Sequence, residues 1–580
     1  MNRMKLEIGN LPGTRLDVPL AGEAWGRILP SQFQISSFHF RRSNNASSGV
    51  ALIGIIMMIA LMGMLGASVL MLTTFSSMES IQDMNWSKAF FAAETGISRA
   101  KAAWYGDLSW TNMGWIGNAF FTNAITTNAE NKIVVSSTGI MGNSRWTSRW
   151  KPSEIIRAII AYKEGSEPEP RYRAYSTNWG LSIEFTNNSV VDAVQWQRIE
   201  ASPRTNEFLL VTQNDQRRIY AQAYLDGEWV SNTYLNAAGR VPAAASRGFD
   251  VAYESLSGRG MVVYSDGSLY PQYRIWTSTG WSSPNSINVA ANGPIQWVRL
   301  VSKPGTNEIM CLARWRKPAP SAANYSSAIV WNGAVWAGLT NLETNCASTI
   351  TYETFDAAYS TNSALVVYIN GSSATQRRSP KYRVYTNGAW SAQNTMPAAL
   401  AAEPRWIRVE YSVKGPTNRP PAAYAAFLHS STRLQGAYYT NTFKWTTAYD
   451  GFSNATMEIS TRRDFDIAWS SQTNTLMVVY SRQNQNAQSY MLVTNAGMQI
   501  AGSKTNFGSL VSTDDGQWCV LKPDPFTSEF YHLAIDDKND VNFQRWTGLA
   551  WTTNNLPELE ISSDSSYLSI DFSFRHDSSP

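Results

Sequence analysis

Cysteine, histidine and charge are all scarce in this chain of 580 residues. The three cysteines, Cys311, Cys346 and Cys519, are too few and too widely spaced for a disulfide framework or a zinc knuckle. They read as packing residues, with a bridge between Cys311 and Cys346 as the one pairing worth testing. Only His429, His532 and His576 follow the first apolar run, none near a second ligand-type residue, which argues against histidine-based metal or nucleophile chemistry. Charged residues make up 16% of the chain and the net charge is +4, without a basic run beyond the apolar segment, so a nucleic-acid partner has no support. Asp536, Asp537, Asn539 and Asp540 form the densest set of oxygen ligands, but they lack the glycine and terminal glutamate of a calcium loop. No metal or cofactor is expected.

Long apolar runs are also missing, with one exception. Val50 to Met78 contains no charged side chain; it follows Arg41 and Arg42 and precedes Glu79, Asp83 and Lys88. About 20 helical residues span a hydrocarbon core, so this run crosses with tilt. Positive charge on its N-terminal side places that end in the cytoplasm and the rest of the chain outside. The periodicity continues through Trp86, Phe90, Phe91, Ala92, Ala93, Ile97, Ala100 and Ala103, predicting one helix from about Val50 to Trp104.

Gly49 with Val50-Ala51-Leu52-Ile53, the apolar helix, and Ala89-Phe90-Phe91-Ala92-Ala93-Glu94-Thr95-Gly96-Ile97 together resemble the N-terminus of type IV pilin-like proteins. The nearest groups are PilX-type minor pilins and GspK-type pseudopilins. The resemblance implies a leader, residues 1–49, cut by a prepilin peptidase between Gly49 and Val50. It implies pilin or pseudopilin partners along residues 50–105, and an inner-membrane protein with its exported part in the periplasm or on the cell surface. Major pilins carry a glutamate at the fifth mature position, and Gly54 stands there. A membrane carboxylate needs a partner, so its absence suits a subunit at a fibre tip better than one repeated along a shaft. The leader is long for such a protein, which suggests a true start downstream of Met1. Residues 106–154 read as a small pilin-like strand region or linker.

Aromatics are abundant where charge is not. With Ser, Thr, Asn and Gly they suit half-buried strands and tight turns. Two motifs alternate along the exported part. Phe-Asp-x-Ala-aromatic occurs at 249–253, 355–359 and 465–469, each followed by a Val-Val-Tyr strand ending at Tyr264, Tyr368 and Tyr480. A tryptophan motif opens at Trp196, Trp297, Trp406 and Trp518. The starts at 196, 249, 297, 355, 406, 465 and 518 are 53, 48, 58, 51, 59 and 53 residues apart, a spacing of propeller blades. Short aromatic hairpins (Tyr273 to Trp281, Trp331 to Trp336, Tyr382 to Trp390, Tyr439 to Trp445, Trp546 to Trp551) supply two more strands per unit.

Ile570-Asp571-Phe572-Ser573-Phe574 stands in the Phe-Asp register without strands after it, while Ile155 to Tyr162 and Tyr172 to Trp179 resemble the missing ones. The fold expected is therefore mainly β: an eight-bladed propeller, residues 155–580, preceded by a long transmembrane pilin-like helix. The rival assigns 155–162 to the pilin-like sheet and leaves seven blades. Side chains alternate along a strand, so Asp250, Asp356, Asp466 and Asp571 can face Arg198, Arg299 and Arg408 across blades, with Val520 as the departure. Alternatively each aspartate caps a local turn. The turns resemble those of sialidase-like propellers, but the arginines fall at repeat positions and no catalytic constellation emerges, so an enzyme is not expected. The expected function is a minor pilin or pseudopilin displaying its propeller to a glycan or surface protein. Alternatives are a tethered glycan hydrolase and an anchored scaffold outside any fibre.

Overall fold

A computed structural model describes residues 48–104, 112–127, 133–150 and, with breaks, 158–574, the longest breaks being 441–456, 495–504, 413–421 and 561–569. The leader ahead of residue 48, with Arg41 and Arg42, lies outside the described residues, as do Trp179, Trp445, Asn539 and His576. The chain divides into two units, Met1–Lys88 with Gly142–Ser144, and Ala89–Met141 with Arg145–Pro580. Helix α1, Ser48–Trp104, supplies residues to both.

In the first unit α1 exposes apolar side chains all round, from Ile55, Ile56 and Met57 to Leu72, Phe75 and Met78. It is long and apolar enough to cross a membrane. Its hydroxyls are bonded within the helix: Ser68 Oγ donates to Met64 O at 2.8 Å and Ser77 Oγ to Thr73 O at 2.6 Å. Internal satisfaction of polar groups is what hydrocarbon demands.

The second unit opens with the last turns of α1. Four antiparallel strands, Met113–Ile116, Ala119–Thr127, Ile133–Met141 and Ser144–Trp150, form a sheet in sequence order. Ala89, Ala92, Ala93, Ile97 and Ala100 are buried on the helix, with Phe121 and Val135 of the sheet in the same clusters. Two glycines set the approach. A Cβ on Gly139 would lie 1.8 Å from the Ala89 carbonyl oxygen, and one on Gly96 would lie 2.0 Å from Ser137 Oγ. Gly139→Val forces helix and strand apart, an overpacking cost of about 3 kcal/mol. Hydrogen exchange across 113–150 should rise sharply in that variant; unchanged protection would contradict the close contact.

The rest of the unit is a β-propeller. Eight further sheets are present among the described residues, with inner strands Val194–Ala201, Phe249–Tyr253, Ile295–Ser302, Phe355–Tyr359, Pro404–Tyr411, Phe465–Trp469, Gly516–Pro523 and Ile570–Phe574. Each inner strand neighbours the next, and Ile570–Phe574 lies beside both Gly516–Pro523 and Val194–Ala201. Ile570–Phe574 pairs with Ala158–Lys163, Ile570 opposite Tyr162 and Phe574 opposite Ala158. Strand Ala158–Lys163 therefore belongs to a propeller sheet, and the small sheet has only its own four strands. The outer hairpins are less regular than their aromatic spacing suggests. Trp546 and Trp551 share a single bridge, and the fourth strand of that sheet is Glu558–Glu560.

Packing alternates around the ring. Between each Phe-Asp sheet and the tryptophan sheet after it lies a separate apolar cluster; Ala252, Met261, Val298 and Leu300 belong to one, and Ala358, Leu365, Ile407 and Val409 to another. The other interfaces share one continuous core with the tryptophans. The repeating unit is thus a pair of sheets.

Candidate functional site

Inner strands of the tryptophan type present Trp, Arg and the residue two beyond it on one face, because strand side chains alternate. Trp196, Trp297, Trp406 and Trp518 meet in a closed cycle. Their ring centroids are 5.6, 6.3, 5.5 and 6.0 Å apart around the circuit, with interplanar angles of 71, 80, 89 and 71°. Each contact is edge to face, the arrangement that aromatic quadrupoles favour, worth about 0.5–1.5 kcal/mol beyond burial. All four rings are buried.

Next to them runs a chain of charge. Arg198 Nη1 lies 3.2 Å from Asp571 and its Nε 3.1 Å from Asp250. Arg299 links Asp250 at 3.3 Å to Asp356 at 2.8 Å, and Arg408 links Asp356 at 3.2 Å to Asp466 at 2.9 Å. Each aspartate also accepts a backbone N–H from the following tryptophan strand: Leu300 for Asp250, Val409 for Asp356, Leu521 for Asp466 and Ile199 for Asp571. The carboxylates therefore fasten neighbouring sheets together. Local capping coexists with this, since Asp250 Oδ1 accepts from Val251 N and Asp466 Oδ1 from Ile467 N.

Burial alone would raise the Asp250 carboxyl, but Arg247, Arg198 and Arg299 together hold it well below the usual carboxylate range. Asp356 and Asp466 are lowered in the same way against their burial, by Arg299 with Arg408 and by Arg463 with Arg408. Arg247 and Arg463 each stand three residues before an aspartate, at 3.8 and 3.6 Å from it, and Arg247 also meets Glu353 at 2.8 Å. The chain of charge breaks at Val520. In Asp250, Asp356 and Asp466, Oδ1 takes the Nε of the preceding arginine. Asp571 Oδ1, which has only Val520 in the corresponding place, is buried without a hydrogen bond.

Beyond the arginines lies a more open level. Arg198 Nη2 and Arg408 Nη2 each reach a glutamate at 3.3 Å, Glu200 and Glu410. Lys522 Nζ lies 3.4 Å from Glu200. Burial, with Asp356 and Asp466 nearby and only Arg408 and Arg299 opposing, pushes the Glu410 carboxyl up to about 7.

The remaining sequence candidates lie elsewhere. Gly49 and Val50 fall in the first turns of α1. Cys311 pairs opposite Ile329 and Cys346 opposite Asn324, five residues apart along strand Asn324–Trp331, so they form no bridge and are free. Asp536 spends its carboxylate on the N–H groups of Lys538 and Asp540 and on Asn542 Nδ2, closing a turn. His429 and His532 are fully buried and held neutral by burial, their pKa values lowered to about 4 and about 3. The motif reading passed over Glu200, Glu410, Lys522, Arg247 and Arg463. It also passed over a fully buried Arg314–Glu343 pair at 2.8 Å, which lies off the repeat. The signal for the glutamates is Trp-x-Arg-x-Glu, present at 196–200 and 406–410.

No family model and no curated protein matches the chain. Solved structures similar to it include the BP39L lectin from Burkholderia pseudomallei, at 12% identity and a TM-score of 0.44, covering 63% of this chain and 99% of the lectin. The fucose-specific lectin from Aleuria aurantia matches at 11% identity and a TM-score of 0.30, covering 57% of this chain and 95% of the lectin. AztD from Citrobacter koseri matches at 9% identity and a TM-score of 0.39, covering 72% and 98%. These likenesses bring no ligand to this chain.

Proposed function

We propose that this chain is a minor pilin or pseudopilin-like protein whose α1 is held in the inner membrane and whose exported part displays an eight-bladed propeller as a ligand-binding module. One observation carries the reading. A helix that exposes apolar side chains throughout its first half continues into a small-residue face, Ala89 to Ala100, seated on a four-stranded sheet through Gly96 and Gly139. The Phe-Ala-Ala-Glu-Thr-Gly segment that carries the pilin resemblance is the segment that makes this contact. A helix built only to anchor a propeller has no need of such a face. The eight-bladed reading is supported by inner strands of two alternating kinds, since an even number lets arginine and aspartate strands alternate around a closed ring. The axis holds paired charges and packed tryptophans, which supports a reading of structural support and recognition.

The test is the mature N-terminus. Mass spectrometry of protein from a cell that has a prepilin peptidase should find a chain beginning at Val50 with a methylated amino group. Gly49→Ala should leave the leader attached while membrane insertion proceeds, since insertion needs only the apolar run. Full processing of that variant would count against the pilin reading.

A further inference from the structure

The eight inner strands repeat after four, which relates Arg198 to Arg408, Glu200 to Glu410, Asp250 to Asp466, Asp571 to Asp356 and Arg247 to Arg463. The relation fails at three places that bear on the two glutamates. Val520 answers to Arg299, Lys522 to Val301 and Ser573 to Ala358. Each half therefore has one cation on that strand, at the deeper level in one half and at the outer level in the other.

The two glutamates differ accordingly. Glu200 receives Arg198 at 3.3 Å, Lys522 Nζ at 3.4 Å and Ser573 Oγ at 3.3 Å. The Glu410 carboxylate receives Arg408 Nη2 at 3.3 Å and, among the described residues, no other side-chain donor, Trp469 Nε1 donating to its backbone carbonyl. Val301 and Ala358 occupy the places of its missing donors. The Glu410 side chain is 32% exposed, against 23% for Glu200.

We propose that Glu410 is the receptor for a primary ammonium group supplied by a ligand, which takes the position that the Lys522 ammonium takes at Glu200. The chain itself provides the template, since the same carboxylate, held by the same arginine, already binds an ammonium in the other half. Val301, standing where the other half has Lys522, offers apolar surface to the methylene stem of a lysine-like or polyamine ligand. The inference rests on the propeller being the binding module, and it names the chemical class of its ligand. An amine needs Glu410 ionised. Its carboxyl is buried among Arg408, Asp356, Asp466 and Arg299 and pushed up to about 7, so affinity should rise as pH climbs from 6 to 8.

The experiment uses the full chain in detergent micelles with n-butylammonium as probe, read by saturation-transfer NMR and calorimetry. Binding to the parent is expected, with tetramethylammonium, which has no N–H donor, at least tenfold weaker. Val301→Lys supplies the ammonium in cis and should abolish binding; Glu410→Gln should weaken it at least tenfold and remove the pH dependence. Thermal melting of each variant shows whether it is folded, and the glutamine variant keeps the test open if the lysine one is not. Equal binding by folded Glu410→Gln, or no binding by the parent at pH 8, overturns the proposal. A lysine peptide and spermidine, compared as competitors, separate a protein ligand from a free polyamine. Leader processing does not enter this readout, so the pilin reading stands or falls apart from it.

Discussion

Removal of residues 570–580 should abolish the protease resistance and the cooperative melting of the whole propeller. Strand Ile570–Phe574 is the innermost strand of a sheet whose other strands come from residues 158–184, so its loss leaves Ala158–Lys163 as an open edge. Ile570, Phe572 and Phe574 are buried, and Phe574 packs on Tyr531 at 4.5 Å between centroids. Burial of side chains of this size is worth about 1.5–3 kcal/mol each. Loss of Asp571 takes one of three carboxylates from Arg198 and leaves Ile199 N without its partner, and loss of Ser573 does the same to Ala201 N. Together these losses approach the roughly 5–15 kcal/mol that a domain has in total. Limited proteolysis and a circular dichroism melt decide it. A truncated chain that melts at the parent temperature and is cut no faster would refute ring closure by this strand.

Asp356→Ala should cost about 3–5 kcal/mol, the range for removing one partner of a buried ion pair. Asp356 is 1% exposed and holds Arg299 at 2.8 Å, Arg408 at 3.2 Å and Val409 N at 2.9 Å. Its removal takes one carboxylate from each of two buried guanidinium groups and leaves a backbone donor without its partner. Asp356→Asn keeps an oxygen for Val409 and should lose less. The same carboxylates set the acid limit. Asp250, Asp356 and Asp466 are held below their unfolded values, so their stabilisation is present above about pH 4 and is lost as pH falls through the folded values. Denaturant midpoints of the parent should therefore fall steeply below pH 4, with a weaker acid limb in the alanine variant. Equal midpoints for parent and Asp356→Ala would show that this aspartate does not join the sheets.

The repeat was legible in the sequence because its physical causes are local. Phe-Asp-x-Ala-aromatic keeps two side chains on one face and three on the other of a short strand, whatever lies far away. The partnership of Asp with Arg was legible too, from alternation and unit order, although the simultaneous backbone bond from the next sheet was not, since backbone donors leave no mark in a sequence. The tryptophan cycle escaped because it depends on four side chains spread over more than 300 residues converging in space, which periodicity does not describe. The Glu410 level escaped for a different reason. Its meaning lies in how Val301 and Ala358 differ from Lys522 and Ser573, and that comparison needs the ring order first. The Cys311–Cys346 pairing failed because spacing along the chain says nothing about separation along a shared neighbouring strand.

Tension has a defined entry point into this propeller. The chain reaches it from the N-terminal side at Ala158–Lys163, which is second in its sheet, between Ile570–Phe574 and Pro170–Tyr175. A pull along that strand loads the hydrogen bonds to both neighbours in shear, all at once, and cannot peel them singly as it would at an outer strand. The C-terminal strand thus serves as a mechanical clasp. A load applied from that side has to break both sets of hydrogen bonds together before the ring opens.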